Sequence, residues 1–451
     1  MVPRRYRDLL AIPGVPRVVA SAFVGRLPYG MLGLALVLLA RQATGSFADA
    51  GLVTAAHTLA VGATAPVLGR LVDRLGRPRV VAACGVAQAA AFAALIGVAL
   101  AGAGTAALAA AGALAGATMP PLSPSMRSLW SELAPPGRLD AAFALEAVFI
   151  ELFFIGGPLL TGAIVLVASP AAAVGASAAF VLTGSLAFAT AEPVRTRPRA
   201  MAAGGPAPAA LSSAGMRTVV ATLVLSSIVF GVLEVAVSAF ARHEGAAAAA
   251  GILLSAMAAG SLAGGLVYGS RERRSAPDRR FLALLALFAA GLAPLPLASS
   301  IPAMAMLMTV AGLALAPVTA AGYSLVGRLA PAGALTEAFA WQAVANVIGA
   351  SAGAALAGAV VEGPGVRPAL GLASAAAGAA FLVALAARPT LRPPAVQAAR
   401  DPARGGWPTL RAPREQELDH PRRPCGREPA RPAAAGESQR SPEGTRIRLD
   451  P

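Results

Sequence analysis

The chain has 451 residues, of which 56% are hydrophobic and only 13% are charged, and its mean hydropathy is +0.66. Because soluble proteins carry about 25% charged residues, this composition excludes an ordinary soluble domain. The chain has 37 basic residues, all arginine, and a net charge of +15. Nearly all of the arginines stand in short loops or after Ala387 rather than in one patch, so a nucleic-acid-binding face is excluded too.

Apolar stretches of about 20 residues follow one another along the chain, and each is long enough to cross a bilayer as a helix. The segment before the first stretch, 1–17, is arginine-rich and is not followed by a small-residue cleavage site, which predicts a retained first helix. Twelve spans are predicted, at 18–40, 50–69, 79–101, 104–126, 141–168, 170–190, 217–241, 246–269, 280–298, 302–326, 336–361 and 367–387.

The loops between the predicted spans alternate in arginine content. One side of the membrane receives twenty arginines, Arg127 among them, whereas the other receives Arg41, Arg242 and Arg367. Since basic residues accumulate on the cytoplasmic side, both termini are predicted to be cytoplasmic. Arg26 alone lies inside a predicted span.

Two segments without apolar periodicity divide the chain further. Residues 191–216 are rich in Pro, Ala and Gly and are predicted to form a central cytoplasmic linker. Residues 388–451 combine arginine, proline and acidic residues and are predicted to be a disordered cytoplasmic tail. The predicted domains are therefore an N-terminal bundle at 18–190 and a C-terminal bundle at 217–387.

The two halves of the chain repeat each other. At an offset of 196 residues, Gly137–Val148 aligns with Gly333–Val344 with seven of twelve positions identical, and Pro121 aligns with Pro317. Parallel repeats of this kind are typical of transporters built from two six-helix bundles around a central site.

A short charged turn, GRLVDRLGRPRV at 69–80, stands between the second and third spans. At an offset of 195 residues the second half has Tyr268 in place of its aspartate. Six positions of this turn match the signature loop G-x-L-x-D-R-x-G-R-x-x, and by them the chain resembles the major facilitator superfamily over about residues 15–390: Gly69, Leu71, Asp73, Arg74, Gly76 and Arg77.

The resemblance implies an all-α integral membrane protein with twelve transmembrane helices in two six-helix bundles related by a pseudo-twofold axis. It also implies that the turn is a conformational latch, with Asp73 facing the first turn of the eleventh span around Leu335–Thr336, where the helix dipole favours an anion. Arg74 or Arg77 is then expected to reach Glu337. Since the second copy lacks its aspartate, the latch is expected on one side only.

Charged and amide side chains inside the spans are costly in a bilayer and therefore mark candidate sites. Arg26 and Glu151 lie about 12 Å and about 15 Å from the cytoplasmic ends of their spans, which predicts either a fixed ion pair or a carboxylate that releases Arg26 on binding a proton or a cationic substrate. Glu146 is shallower, and its mate in the repeat is Gln342, which favours a central site shared by the bundles; the alternative is a residue at the cytoplasmic rim. Asn346 completes this candidate proton or substrate site.

A candidate outer gate consists of His57, in the outer half of the second span, and Glu234, about 25 Å along the seventh span. His57 offers a group that titrates near neutral pH. The alternative for His57 is a hydrogen bond to neighbouring backbone.

The fifth span contains Gly157, Pro158 and Gly162, which are similar to the Gly-Pro motif of drug–proton antiporters in the same superfamily. Glycine permits close helix packing and proline bends a span, so a packing role explains these residues equally well.

The sequence contains no nucleotide-binding loop, no metal-ligand spacing and no nucleophile–His–Asp arrangement. It therefore predicts that the protein is not an enzyme and has no cofactor. The expected energy source is an ion gradient, with protons favoured.

The expected function is export of a small amphipathic or drug-like compound by alternating access across a bacterial cytoplasmic membrane. The alternatives are an uptake permease for a polar solute such as a sugar, and a sensor or assembly partner that binds without transporting. The expected partners are a small-molecule substrate and the lipid bilayer, with no nucleic acid and a monomeric state.

Overall fold

The computed structural model describes residues 4–135, 137–196, 208–246, 249–271 and 275–392. Within these ranges the chain is helical without a β-strand, and twelve helices are long and apolar enough to cross a membrane. They are numbered here as spans 1 to 12: Val15–Thr44, Phe47–Leu75, Arg77–Leu100, Thr105–Leu133, Leu139–Val167, Pro170–Thr190, Ala214–His243, Ala249–Ser270, Pro277–Leu297, Ile301–Leu329, Leu335–Glu362 and Val366–Ala386.

Spans 1 and 4 are each interrupted where the sequence places proline. In span 1 the helix ends at Arg26 and a second helix begins at Pro28. In span 4 the helix Thr105–Ala117 is followed by an irregular stretch that includes Pro121, and helix Leu122–Leu133 then resumes. Proline removes a backbone donor and clashes with the preceding turn, so both breaks are expected from the sequence.

The spans form two six-helix bundles, one from spans 1–6 and the other from spans 7–12. Within the first, span 2 packs on span 4 and span 3 on span 6; within the second, span 8 packs on span 10 and span 7 on span 11. Between the bundles, span 2 packs on span 11 and span 5 on span 8, as a pseudo-twofold axis requires. The predicted fold class is confirmed.

Both ends of the described chain lie at the same end of the molecule. The Arg5 side chain donates to the backbone oxygen of Arg271, just after span 8, and Arg388 contacts Asp278, at the start of span 9. Because these two partners flank one loop, the N-terminal helix Arg4–Leu10 and the 3-10 helix Arg388–Leu391 share that end, which we call the terminal end.

Short helical segments stand inside both segments for which the sequence predicted no regular structure. Within 191–216 these are Glu192–Thr196 and Ala210–Ser212. The predicted tail begins with the 3-10 helix that contains Leu391, a fully buried residue. Residues 197–207 and 393–451 lie outside the described part of the chain.

Candidate functional site

Asp73, at the end of span 2, lies against the start of span 11. Its two carboxylate oxygens accept hydrogen bonds from the backbone N–H groups of Thr336, at 3.1 Å, and Glu337, at 2.9 Å. These amides belong to the first turn of a helix and have no partner within it, and they form the positive end of the helix dipole. The carboxylate therefore joins the two bundles at the position expected from the sequence.

Glycine explains the close approach of spans 2 and 11 at this point. A Cβ on Gly69 would lie 2.8 Å from the Cα of Glu337, which is too close for any other residue without movement of the helices. Gly76 ends span 2 with φ +93°, a conformation that favours glycine, and so turns the chain into span 3. Leu71 and Arg74 of the same turn are exposed.

Glu337 is bound by Arg70 rather than by the arginines that the sequence favoured. Nε and Nη2 of Arg70 donate to the two oxygens of Glu337, each at 2.9 Å. Arg77 instead forms an ion pair with Glu132 of span 4. The expected pairing of Glu337 with Arg74 or Arg77 is thus replaced, because Arg70 lies one turn earlier on the face of span 2 that meets span 11.

Arg77 still contributes to the contact between the bundles through an intermediate hydroxyl. Its Nε donates to Oγ of Ser128 at 3.2 Å, and Oγ1 of Thr336 donates to the same oxygen at 3.1 Å. Ser128 and Thr336 are both fully buried. The signature turn is therefore linked to span 11 by two separate polar contacts.

The opposite side of the terminal end has its own ion pair, which corrects the expectation of a latch on one side only. Arg280, near the start of span 9, donates from Nη1 and Nη2 to the two oxygens of Asp140, at 2.6 Å and 3.1 Å. Asp140 lies in the first turn of span 5, the pseudo-twofold counterpart of the turn that Asp73 binds. Tyr268 has replaced the aspartate in span 8, and an arginine of span 9, the counterpart of span 3, contacts the carboxylate at the start of span 5 instead.

The N-terminal helix connects the bundles as well. Besides the oxygen of Arg271, the Arg5 side chain reaches the backbone oxygen of Gly137, before span 5, at 3.1 Å. Tyr6 donates to the backbone oxygen of Gly265 in span 8 at 3.3 Å. These contacts lie beside the Arg280–Asp140 ion pair, so one helix outside the membrane spans reinforces that side of the terminal end.

Arg26 pairs with Glu146, not with Glu151 as its depth had suggested. Nη1 and Nη2 of Arg26 donate to Oε2 and Oε1 of Glu146 at 2.6 Å and 3.4 Å, and neither side chain is exposed. Nε1 of Trp130 donates to the same carboxylate at 3.2 Å. The position of a residue along a helix gives its depth in the membrane but not the direction of its side chain. The side chain of Glu146 points toward span 1, whereas that of Glu151 points toward span 8. The alternative of a residue at the rim is excluded, because Glu146 is fully buried.

Arg127 is the residue that sequence reasoning missed, since the predicted fourth span ended at 126. It lies inside span 4, is 6% exposed and donates from Nη1 to Oε1 of Gln342 at 3.0 Å. Its guanidinium carbon stands 4.1 Å from the centre of the Tyr323 ring. Spans 10 and 11 carry these two partners, so Arg127 joins the bundles deeper than the signature turn does.

The repeat relates these side chains in pairs. An offset of 196 residues takes Arg127 to Tyr323 and Glu146 to Gln342. Each lies six or seven residues from the terminal-end boundary of its helix, hence about 9–11 Å deep. We call these four residues the polar layer. The aligned tyrosine was the signal in the sequence that could have identified Arg127.

Glu151 lies farther along span 5 and faces the other bundle. It is half-buried and accepts a hydrogen bond at 2.7 Å from Oγ of Ser261 in span 8. No arginine of the described chain lies within salt-bridge distance of it. Glu151 is thus a carboxylate within the spans, at the contact between bundles, held by a hydroxyl group.

Asn346 is hydrogen-bonded within the second bundle rather than to a member of the polar layer. Its side-chain oxygen accepts a hydrogen bond from Oγ of Ser227 in span 7 at 2.8 Å, within the second bundle. Asn346 is exposed and stands one turn beyond Gln342 on span 11. The structure therefore does not group it with Arg26 and Glu146.

The two residues assigned to an outer gate are not brought together. His57 is 7% exposed, its Nδ1 lies 3.2 Å from the backbone oxygen of Gly112 in span 4, and its ring stacks on Phe92. His57 is therefore hydrogen-bonded to backbone within the first bundle, which was the alternative to a role in an outer gate. Glu234 is exposed on span 7. A gate formed by His57 and Glu234 is not supported by this geometry.

The glycines of the fifth span differ in their surroundings. A Cβ on Gly157 would lie 2.5 Å from the Cα of Gly30, so spans 1 and 5 cross there with backbones in contact. Pro158 stands inside the helix that spans Leu139–Val167. A Cβ on Gly162 would have no atom of another described residue within 4 Å, so close packing involves only the first glycine.

Comparisons with known proteins agree with this architecture. The sequence profile of the Major Facilitator Superfamily matches residues 18–245 and 219–418. No curated protein gives a significant match. Among solved structures, the human organic anion transporter MFSD10 is 18% identical with a TM-score of 0.65, and the alignment covers 82% of this chain and 99% of that chain.

Two further solved structures are similar over comparable lengths. A bacterial homologue of the iron transporter ferroportin in an outward-facing state is 15% identical with a TM-score of 0.65, covering 83% of this chain and 98% of that one. The E. coli fucose:proton symporter is 14% identical with a TM-score of 0.66, covering 84% and 98%. At these identities the likeness shows the fold alone, but the profile covers most of the sequence: the chain belongs to the Major Facilitator Superfamily and is a membrane transporter rather than an enzyme.

Proposed function

We propose that the protein is a proton-coupled secondary transporter that exports an amphipathic compound by alternating access. The observation that carries the proposal is the polar layer, buried between two bundles that close over it at the terminal end. Ionisable side chains within membrane spans are costly and ordinarily serve transport. The repeat relates the members of this layer by the pseudo-twofold axis. In alternating access the substrate site lies at this axis, between the two repeats, and opens in turn to either side.

The proposed membrane is the bacterial cytoplasmic membrane, with the terminal end facing the cytoplasm. Arginines in the loops support this orientation, although Arg127 now counts as a residue of span 4 rather than of a loop. In this orientation the closed end of the structure is the cytoplasmic one. Asp73 and Arg280 then hold a cytoplasmic gate on its two sides.

Glu151 is the proposed proton site. An ionised carboxylate without a cationic partner is costly among apolar helices, so protonation stabilises it when spans 5 and 8 are packed together. Its hydrogen bond from Ser261 crosses between the bundles, so movement of one bundle against the other changes its surroundings. Glu146 is less suited to this role, because Arg26 and Trp130 already hold its charge.

The proposal needs no cofactor, takes its energy from a proton gradient and treats the monomer in the bilayer as the working unit. Export is preferred over uptake because aromatic and apolar side chains adjoin the polar layer. Phe149 and Phe153 of span 5 flank the guanidinium of Arg26, with its carbon 5.9 Å and 5.5 Å from their ring centres. An uptake permease for a sugar ordinarily needs amides and hydroxyls in such places.

Transport in proteoliposomes under an imposed pH gradient tests the proposal. The panel contains lipophilic cations, amphipathic organic anions and sugars, and liposomes without protein are the control. Flux of an amphipathic compound that depends on the gradient and collapses with a protonophore is expected. Flux of sugars alone would replace export by uptake, and ligand binding without flux of any compound would favour the sensor.

A further inference from the structure

The charges around the polar layer do not balance. Arg26 and Arg127 are both buried, but in the described part of the chain one carboxylate, Glu146, lies among them. Both oxygens of Glu146 are already taken up by Arg26, and Trp130 adds a third donor. The buried centre therefore retains about one unit of positive charge.

Arg127 carries this excess charge. Among the described residues no carboxylate lies within salt-bridge distance of it. Its Nη1 donates to the amide oxygen of Gln342, and its Nε is buried without an acceptor in the same part of the chain. A guanidinium offers five N–H groups in a planar fork that fits a carboxylate, so donors remain for an anion that the described chain does not supply.

Apolar surface lies on the side of the polar layer away from the terminal end. Phe149 and Phe153 follow Glu146 on span 5 by about one and two helical turns. Phe23 of span 1 contacts both, with ring centres 5.3 Å and 4.9 Å away. Phe23 and Phe149 are half-buried, so this aromatic cluster offers surface to a ligand.

We infer that the central site binds an amphipathic organic acid, with its carboxylate or sulfonate on Arg127 and its apolar body toward Phe23, Phe149 and Phe153. The inference rests on the proposed function, because it names the class of substrate for the same site. The acid completes the charge balance and supplies an acceptor for the buried Nε of Arg127. A lipophilic cation at this position would add a second unpaired positive charge.

Three ligands that share one ring system but differ in charge test the inference. These are 2-naphthoate, the neutral 2-naphthamide and the cationic 2-naphthylmethylammonium, titrated calorimetrically into the purified full chain in a neutral maltoside detergent. Naphthoate is expected to bind at least tenfold more tightly than the amide, and the ammonium compound more weakly than either.

Two variants at the site and one control locate the preference. Arg127→Gln removes the charge and is expected to abolish the tenfold preference. Gln342→Glu keeps the arginine but supplies a carboxylate next to it, so the tenfold preference is expected to be lost in this variant too. Because the buried charge is then balanced, this variant is not expected to destabilise the fold. Arg17→Gln removes an exposed arginine at the terminal end and is expected to keep the preference.

Equal affinity for the three ligands, tighter binding of the cation, or a preference that survives in both Arg127→Gln and Gln342→Glu would overturn the inference. The proposed function is judged separately by proton-driven flux in proteoliposomes. Flux of the ammonium compound without flux of naphthoate keeps the transporter and overturns the anion site. Binding of naphthoate that requires Arg127, without flux of any compound, supports the anion site and overturns the transporter proposal.

Discussion

The carboxylate of Asp73 binds the backbone N–H of Glu337 at 2.9 Å, and so connects the signature turn of one bundle to the first turn of span 11 in the other. The second oxygen of Asp73 binds the adjacent amide of Thr336. These are hydrogen bonds to a charged acceptor at a helix N-terminus, each worth about 1.5–3 kcal/mol when removal leaves the donor unpaired. Because the contact joins the two bundles, separation of the bundles at the terminal end would break it.

Asp73→Asn is expected to weaken this contact, because the amide accepts with one oxygen and carries no charge. Hydrogen exchange of the peptide that contains Thr336 and Glu337 should become about tenfold faster, as follows from a loss of about 1.4 kcal/mol. Asp49→Asn makes the same chemical change in the first turn of span 2, at the opposite end, and is the control. Unchanged exchange in Asp73→Asn would show that the hydrogen bonds do not hold the end closed.

The sequence predicted the spans well, because hydropathy finds a helix long enough to cross the bilayer. The position of Asp73 against span 11 was expected from the resemblance to the superfamily, and the unpaired amides at the start of that helix explain why a carboxylate binds there. Arg127 was not recognised as a residue of the fourth span, because a hydropathy pattern ends a predicted span at the first charged residue near its end. Hydropathy therefore fails where a buried charge lies near the end of a span, as Arg127 does, whereas Arg26 and Glu146 fell inside their predicted spans.

Pairing of side chains was the other part that the sequence could not supply. Glu146 and Glu151 are five residues apart and so point about 140° away from each other. Which of them meets Arg26 depends on the rotation of span 5 about its axis, and packing sets that rotation. The close contact of Gly157 with Gly30 brings span 5 onto span 1 with Glu146 on the side of Arg26.

The Arg280–Asp140 ion pair is expected to stabilise the closed terminal end to a measurable degree. Arg280 is 6% and Asp140 22% exposed at the side chain, so solvent screens the pair only partly. A double-mutant cycle with Arg280→Gln and Asp140→Asn should give a coupling energy of about 1–3 kcal/mol in unfolding. The Arg138–Asp8 pair, more exposed at 27% and 37%, is the matched control and should give about 0–1 kcal/mol. Equal couplings for the two pairs would contradict the proposed second latch.

Glu146→Gln is expected to destabilise the fold, because it leaves Arg26 buried without a counter-charge. Breaking a buried ion pair on one side costs about 3–5 kcal/mol. Replacing both residues, as Arg26→Met with Glu146→Gln, removes the unpaired charge and should recover most of that loss. The measurement is the free energy of unfolding in mixed detergent micelles. A single variant as stable as the original chain would mean that the Arg26–Glu146 ion pair does not stabilise the fold.

Glu151→Gln should leave the fold intact but uncouple transport from the proton gradient. Glutamine has the size of protonated glutamate and still accepts the hydrogen bond from Ser261. Accumulation driven by a pH gradient should fall at least tenfold, while exchange of labelled for unlabelled substrate across the bilayer continues. Glu362→Gln, at an exposed carboxylate that ends span 11, is the control and should keep the gradient-driven accumulation. Accumulation at the original rate in Glu151→Gln would assign the proton to another group.

Gly157→Ala and Gly162→Ala place the same methyl group on the same helix, but their expected effects are opposite. At position 157 the methyl carbon would lie 2.5 Å from the Cα of Gly30, so spans 1 and 5 must separate. Overpacking of this kind costs about 1–3 kcal/mol. At position 162 no atom of another described residue lies within 4 Å, and alanine favours the helix by about 1 kcal/mol over glycine.

The comparison also separates packing from transport. Because Glu146 follows the rotation of span 5, Gly157→Ala should disturb the Arg26–Glu146 ion pair as well as the crossing of the helices. Unfolding of the two variants in detergent, together with their proton-driven flux, measures both effects. Loss of stability and flux in Gly157→Ala alone is the expected result. Loss of flux without loss of stability in Gly162→Ala would indicate that the second glycine is needed for movement rather than for packing.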